Sequence, residues 1–286
     1  MDELAIEVKD LSFRYRQTTH AALSHVSFSV PKGSFFCIIG GNGVGKSTLC
    51  NTFVGLIPHY FLGKMDGEVR VNGQSILDQS IADLSSQIGL VFQNPFNQLS
   101  YTASTVAEEL AYGLGNRGVA REEMVKKVAA VAKLMRIDQV LDQNPLDLSG
   151  GQAQRVAFGS TFILEPKILV LDECTTQLDP MGADDIFAIV KRLNHEGITV
   201  VMVDHDMERV AEYADQILVL AAGSPVLQGT PAEVFGDPRL AEFGVEPPAY
   251  ATVTQALAQR HLIKAELGVT KEQAVALVKE GLNHAH

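Results

Sequence analysis

The chain alternates between short, unbroken apolar runs and stretches that carry an apolar stripe at helical spacing. Phe35–Ile39, Ile88–Phe92, Ile168–Leu171 and Ile198–Val203 are runs of the first kind, the pattern of strands covered on both faces. Ile168–Leu171 is expected to be a central, buried strand. After the first run, Leu49, Cys50, Phe53 and Val54 form two adjacent pairs one turn apart, which predicts a helix with one buried stripe. Ile186, Ile189, Val190 and Leu193 predict another, with Asp179 and Pro180 as its N-cap and first turn. Alternation with period two marks Ala5–Val8 and Val26–Val30 as strands of a small antiparallel sheet. It also marks Gly67–Gly73, ending in Asn72-Gly73, as a hairpin arm.

Residues 102–144 read as mostly helical, with Val106, Leu110, Val128 and Val131 between charges most of which form a solvated face. Asn116-Arg117-Gly118 breaks that segment. Leu148-Ser149-Gly150-Gly151-Gln152 opens a helix to about Leu164, with Ser149 as N-cap. Ile217–Leu220 and Val226–Gln228 form a hairpin around Gly223-Ser224-Pro225, and Thr230-Pro231-Ala232-Glu233 is a capping box. Pro247-Pro248 marks a linker before two short helical patterns. The organisation is therefore an α/β core with an N-terminal antiparallel β-subdomain. A helical subdomain is inserted over about 94–165, within residues 1–236, and residues 237–286 form a C-terminal helical extension.

Composition narrows the function. Of 286 residues, 46% are apolar, enough for a large core. Net charge is 23 − 34 = −11 with no basic block, which argues against a nucleic-acid surface. No apolar run reaches the roughly 18 residues that span a bilayer. Met1-Asp2-Glu3-Leu4 lacks the charged and apolar regions of a signal peptide. Cys37, Cys50 and Cys174 have no metal-ligand spacing, so a reducing compartment without disulfides is expected.

The chemistry centres on Gly40-Gly41-Asn42-Gly43-Val44-Gly45-Lys46-Ser47-Thr48. Strand, glycine-rich turn and helix follow in the order that the phosphate-loop pattern G-x-x-x-x-G-K-[ST] requires. Glycines let successive N–H groups turn inward, and the helix N-terminus adds partial positive charge. Lys46 is placed for the β and γ phosphates and Ser47 for Mg²⁺. Asp172 and Glu173 end one buried strand, where ligands bind in open α/β sheets. Asp172 suits Mg²⁺, because a hard cation prefers carboxylate oxygen. Glu173 suits a general base. Gln93 can hold metal and orient water. His205 can contact the γ-phosphate or simply cap the next helix. Tyr15 can stack on a base or pack in its sheet. Ser149–Gln152 can be a second anion site or an ordinary helix start.

The Leu148–Gln152 stretch lies about a hundred residues after Lys46 and about twenty before Asp172-Glu173. Together with the phosphate loop, this resembles the nucleotide-binding subunits of ATP-binding-cassette (ABC) proteins over residues 4–236. The resemblance implies Tyr15 as the adenine-stacking aromatic and Gly40–Thr48 as the Walker A loop. It implies Gln93 as the Q-loop, Ser149–Gln152 as the signature, and Ile168–Asp172 as the Walker B strand. Glu173 is then the catalytic base, Asp179 the D-loop and His205 the switch histidine. It also implies two ATP molecules sandwiched head to tail between subunits, each between one Walker A loop and the opposing signature.

Phe13-Arg14-Tyr15, Gln93–Gln98, Thr105–Gly113, Asn116-Arg117-Gly118, the stretch around Pro58-His59-Tyr60 and the helical extension resemble the energy-coupling-factor (ECF) ATPases. That group powers uptake of vitamins or metals. The implied partners are a second ABC ATPase subunit (this chain or a paralogue), an integral membrane coupling subunit and a substrate-binding membrane protein. A coupling helix would enter near Gln93–Gln98. The implied place is peripheral, at the cytoplasmic face of the cell membrane. Alternatives are the ATPase of a conventional ABC importer or exporter, or a soluble ABC ATPase acting on nucleic acid or ribosomes. The acidic charge and the lack of a heptad run between Lys46 and Leu148 disfavour the last. Three positions depart from the family: Cys174 for proline, Phe96 for an acidic residue and Gln177 for alanine.

Overall fold

The computed structural model describes residues 3–284. The chain begins with strands β1 (Leu4–Tyr15), β2 (Leu23–Pro31) and β3 (Phe35–Ile39), then helices α1 (Lys46–Phe53) and α2 (Leu56–His59). Strands β4 (Gly63–Val71) and β5 (Gln74–Ser75), helix α3 (Ile81–Ser85) and strand β6 (Ile88–Val91) follow. Three helices come next: α4 (Val106–Asn116), α5 (Arg121–Leu134) and α6 (Gly150–Phe162). Then β7 (Ile168–Asp172), α7 (Pro180–His195), β8 (Thr199–Val203), α8 (Met207–Tyr213), β9 (Gln216–Ala221) and β10 (Ser224–Gly229) complete the core. Helices α9 (Pro231–Phe235), α10 (Ala249–Gln259) and α11 (Lys271–His284) end the chain.

Two sheets result. The first, antiparallel, has the order β2-β1-β4-β5, and the second β10-β9-β3-β8-β7-β6. In the second, β3 pairs in parallel with both β8 and β9, and β7 with β6 and β8. The centre therefore belongs to β3 and β8. The expectation of a central strand at Ile168–Leu171 is corrected: β7 lies one in from the edge strand β6. It is still fully buried, because both faces of the sheet are covered. Pro225, expected in a turn, lies in edge strand β10, where a missing N–H leaves no interior bond unmade.

The unbroken apolar runs are explained by two cores, one on each face. Phe36, Ile38, Val170 and Val201 pack with α1 and the first sheet, including Leu49, Phe53, Ile6 and Val26. Their alternating neighbours Cys37, Ile39, Leu171 and Met202 pack with the helices, including Leu110, Val156, Ile186 and Val190. A period of two thus divides every run between two cores. Glu109 departs from the expected solvated face. It is buried and takes both the N–H (2.9 Å) and the hydroxyl (2.7 Å) of Ser100. The terminal segment joins the helical-side core through Leu240, Val245, Ala251 and Val269. Ala249 at the start of α10 donates its N–H to the Glu208 carboxylate (3.0 Å).

Candidate functional site

The carboxyl ends of β3, β6, β7 and β8 lie along one edge of the parallel sheet, where the chain continues into the glycine loop, Gln93, Glu173 and His205. After β3 it turns through Gly40–Gly45 into α1. Gly40 has φ +145°, and a Cβ there would lie 2.2 Å from the Leu220 carbonyl oxygen. Gly45 has φ +105°, and its Cβ would lie 2.5 Å from that of Ala22. Neither position admits a side chain. Gly45 caps α1 without a side-chain acceptor, and no acidic residue occupies the first turn. The first N–H groups of α1 are thus left for an anion.

Lys46 is buried, and its ammonium donates to the carbonyls of Gly40 and Gly41, each at 2.9 Å. It also lies 3.6 Å from Glu173 Oε1. Burial pushes the Lys46 ammonium below its ordinary range, and the charges of Glu173 and Asp172 oppose that. Glu173 gathers the rest of the site. His205 Nε2 is 2.6 Å from its Oε1, and Gln93 Nε2 donates to its Oε2 at 2.7 Å. Its backbone is left-handed (φ +48°), and its N–H bonds the Val203 carbonyl at 3.0 Å. The helix after His205 is capped by Asp206, whose side chain accepts the Arg209 N–H. The His205 side chain is therefore free for the site.

Asp172 is buried beside this group, and its Oδ1 has no hydrogen-bond partner. Burial raises its carboxyl above the ordinary range, and a hydrogen bond from Ser47 partly offsets this. An orphaned carboxylate oxygen next to a hydroxyl fits Mg²⁺, which binds through one or two protein oxygens and takes the rest from phosphates and water. Among the described residues no group of three or more His, Cys, Asp or Glu could hold a metal ion. A cation here would have to be shared with a phosphate ligand.

Lys46, Ser47, Gln93, Glu173 and His205 line a cavity of about 650 Å³, and Asp172 lines the cavity beside it. The loop wall of the first is Asn42, Gly43, Gly45, Lys46, Ser47 and Thr48, and its far wall is Gln93, Glu173 and His205. Tyr15 lines it as well. The ring packs edge-on to Phe13 (centroids 4.9 Å apart) and the hydroxyl pairs with Thr48 Oγ1 at 3.1 Å, so packing and cavity exposure coexist. Ala22 and Thr176 also line the cavity and were not singled out by the sequence. Thr176 follows the Asp-Glu pair closely enough to have been found, whereas Ala22 sits in a loop with no pattern.

Ser149, Gly150, Gly151, Gln152 and Asp179 stand apart, and none lines this cavity. Ser149 and Gln152 form a reciprocal capping box: Gln152 Oε1 accepts the Ser149 N–H at 3.0 Å, and Ser149 Oγ accepts the Gln152 N–H at 3.3 Å. Gly150 faces Gln177, whose Oε1 would be 3.0 Å from an added Cβ. Asp179 caps α7 through the Gly182 N–H (2.7 Å). Within one chain, the phosphate loop and the Ser149–Gln152 turn are separate.

Comparison with known proteins gives a consistent picture. A sequence profile described as ABC transporter matches residues 23–176. The energy-coupling factor transporter ATP-binding protein EcfA1 of Bacillus licheniformis is 39% identical over 264 residues, 91% of each chain. Among solved structures, CbiO1 from Clostridium perfringens, part of the ABC transporter complex CbiONQ, has a TM-score of 0.71 at 32% identity. That match covers 91% of this chain and 96% of CbiO1. An ATP-binding cassette in a dimeric, post-hydrolysis state bound to ADP and Pi has a TM-score of 0.70 at 28% identity, covering 79% and 98%.

Proposed function

Because the chain belongs to the ABC transporter family and is an ATPase, we propose that it powers an ECF-type importer of a vitamin or a metal. The observation that carries this is the convergence of Lys46, Gln93 and His205 on Glu173, in the cavity of the phosphate loop. The loop N–H groups and Lys46 bind the β and γ phosphates of ATP, and Tyr15 receives the adenine. Asp172, Ser47 and Gln93 would hold Mg²⁺, which neutralises phosphate charge when bound. A γ-phosphate arriving at Lys46 competes with Glu173 for that cation. Glu173 then takes a proton from the attacking water, with His205 and Gln93 beside it fixing its position.

Ser149–Gln152 and Asp179 of a second subunit, the same chain or a paralogue, close over the nucleotide. The membrane side of the proposal rests on a second cavity of about 680 Å³, which shares Ser47, Gln93 and Asp172 with the first site. Tyr60, Phe61, Phe96 and Tyr101 line it, and Tyr60 and Tyr101 are largely exposed. An integral membrane coupling subunit inserts a helix there, and a substrate-binding membrane protein completes the importer. No helix among the described residues is long and apolar enough to cross a membrane. The subunit then works peripherally, at the cytoplasmic face.

The test is Glu173→Gln. General-base loss lowers turnover by about 10²- to 10⁴-fold. ATP binding persists, and the dimer accumulates in light scattering with ATP. Turnover like the wild type would remove Glu173 from the role of base.

A further inference from the structure

Asp204 is a buried carboxylate, 8% exposed, that the reaction scheme leaves without a task. It is the last residue before His205. Its Oδ1 accepts two main-chain N–H groups, those of His205 (2.7 Å) and Asp206 (2.9 Å). Its Oδ2 faces Arg209 Nη1 at 3.4 Å. The Arg209 guanidinium also lies over the Phe187 ring of α7, 4.5 Å from the centroid, and 3.4 Å from the Asp206 carboxylate. The other end of the arrangement is equally tied, since Glu173 donates its N–H to Val203, the last residue of β8.

A residue leaving a strand has an N–H with no partner in the sheet and a backbone free to turn. Here that freedom is removed at the residue whose side chain is 2.6 Å from Glu173. A charged acceptor makes the stronger kind of hydrogen bond, and a buried carboxylate needs the partners it has. We infer that Asp204 is a positioning residue for His205: it fixes the main chain from which the imidazole reaches Glu173, and Arg209 fixes Asp204. This rests on the proposed role of His205 in hydrolysis and adds to it the residue that orients the histidine.

The experiment is a double-mutant cycle on steady-state ATP hydrolysis by the full chain, with D204A, H205A and the double variant, and D204N beside them. Each protein is also titrated with a fluorescent ATP analogue and melted thermally. Expected for D204A is a kcat at least tenfold lower with nucleotide affinity within threefold. D204N keeps an oxygen for both N–H groups and stays within about threefold of the wild-type kcat. On the H205A background D204A adds no further loss, because both act through one side chain. Losses that multiply, or a D204A kcat within twofold of wild type, overturn the inference alone. A fully active H205A overturns it together with the role of His205. If D204A does not fold, D204N decides: a folded D204N with a tenfold lower kcat excludes positioning through the two N–H groups.

Discussion

The phosphate-loop cavity and the Ser149–Gln152 turn are both helix N-termini opened by glycines, yet the chain treats them differently. In and beside the cavity, potential is left unspent. Lys46 is buried against two carbonyls and a shared carboxylate, and Asp172 Oδ1 has no partner. At the turn, Ser149 and Gln152 satisfy one another, Ser149 exposed and Gln152 half-buried. An unsatisfied buried group costs free energy until its ligand arrives. A turn whose polar groups already pair with one another carries no such cost. On the proposed function, the difference indicates which half of the composite site would bind first: the cavity would take ATP in a single chain, and the turn would act only when another chain brings it to a bound nucleotide.

The largest expected effect tests the first half. Lys46→Ala removes a buried cation that would face the phosphates, and with it at least two charge-assisted hydrogen bonds of about 1.5 kcal/mol each. ATP affinity should fall by about 100-fold in a direct titration. A change below threefold would show that the glycine loop binds ATP without it. The next tests the second half. A Cβ on Gly151 would meet its nearest neighbour, the Gln177 carbonyl oxygen, at an ordinary 3.6 Å, so Gly151→Asp fits the fold. It places a negative charge where a partner's nucleotide would dock. ATP affinity of the single chain should stay within about twofold, while turnover falls by about tenfold or more and the ATP-dependent dimer is lost. Equal losses of affinity and turnover would abolish the distinction between the two regions.

A smaller effect concerns the orphaned carboxylate. Burial raises the Asp172 carboxyl, so the fold holds its proton more tightly than the unfolded chain does. That contribution is complete below the unfolded carboxylate range and is lost as pH rises through the raised folded value. At neutral pH the ionised group therefore costs stability in the nucleotide-free chain. Asp172→Asn should raise Tm at pH 7 by about a few degrees and leave it unchanged near pH 3, while Mg²⁺-dependent turnover disappears. A lower Tm at pH 7 would mean that the Ser47 hydrogen bond outweighs burial.

Much of this was readable in the chain because it is local. The apolar runs at Phe35–Ile39 and Ile198–Val203, the caps at Ser149, Asp179 and Thr230, and the glycine loop are each fixed by a few neighbouring residues. Strand order was not readable, since it depends on pairings such as Phe35 with Val200, and so β7 was expected at the centre. The extension of β1 through irregular pairing as far as Tyr15 escaped the alternation rule for the same reason. In the site, residue types at strand ends named the participants. Their meeting at Glu173 depends on a left-handed backbone at that residue, which no periodicity encodes.

That backbone frames the smallest effect, at one of the three positions that the sequence reading set apart. Cys174 is buried and follows Glu173 directly. Proline there would fix φ and crowd the backbone of the residue before it, and Glu173 stands at φ +48°. Against this, the Glu173 N–H is anchored on Val203, and its carboxylate is held by His205 and Gln93. Three contacts from the ends of two strands should outweigh one altered turn residue. Cys174→Pro is expected to keep kcat within a few-fold of wild type and ATP affinity unchanged. A loss beyond about 100-fold in a variant that melts normally would reverse the argument. Residue 174, rather than the strand end at β8, would then place the carboxylate, and the cavity would owe its geometry to the turn that follows it.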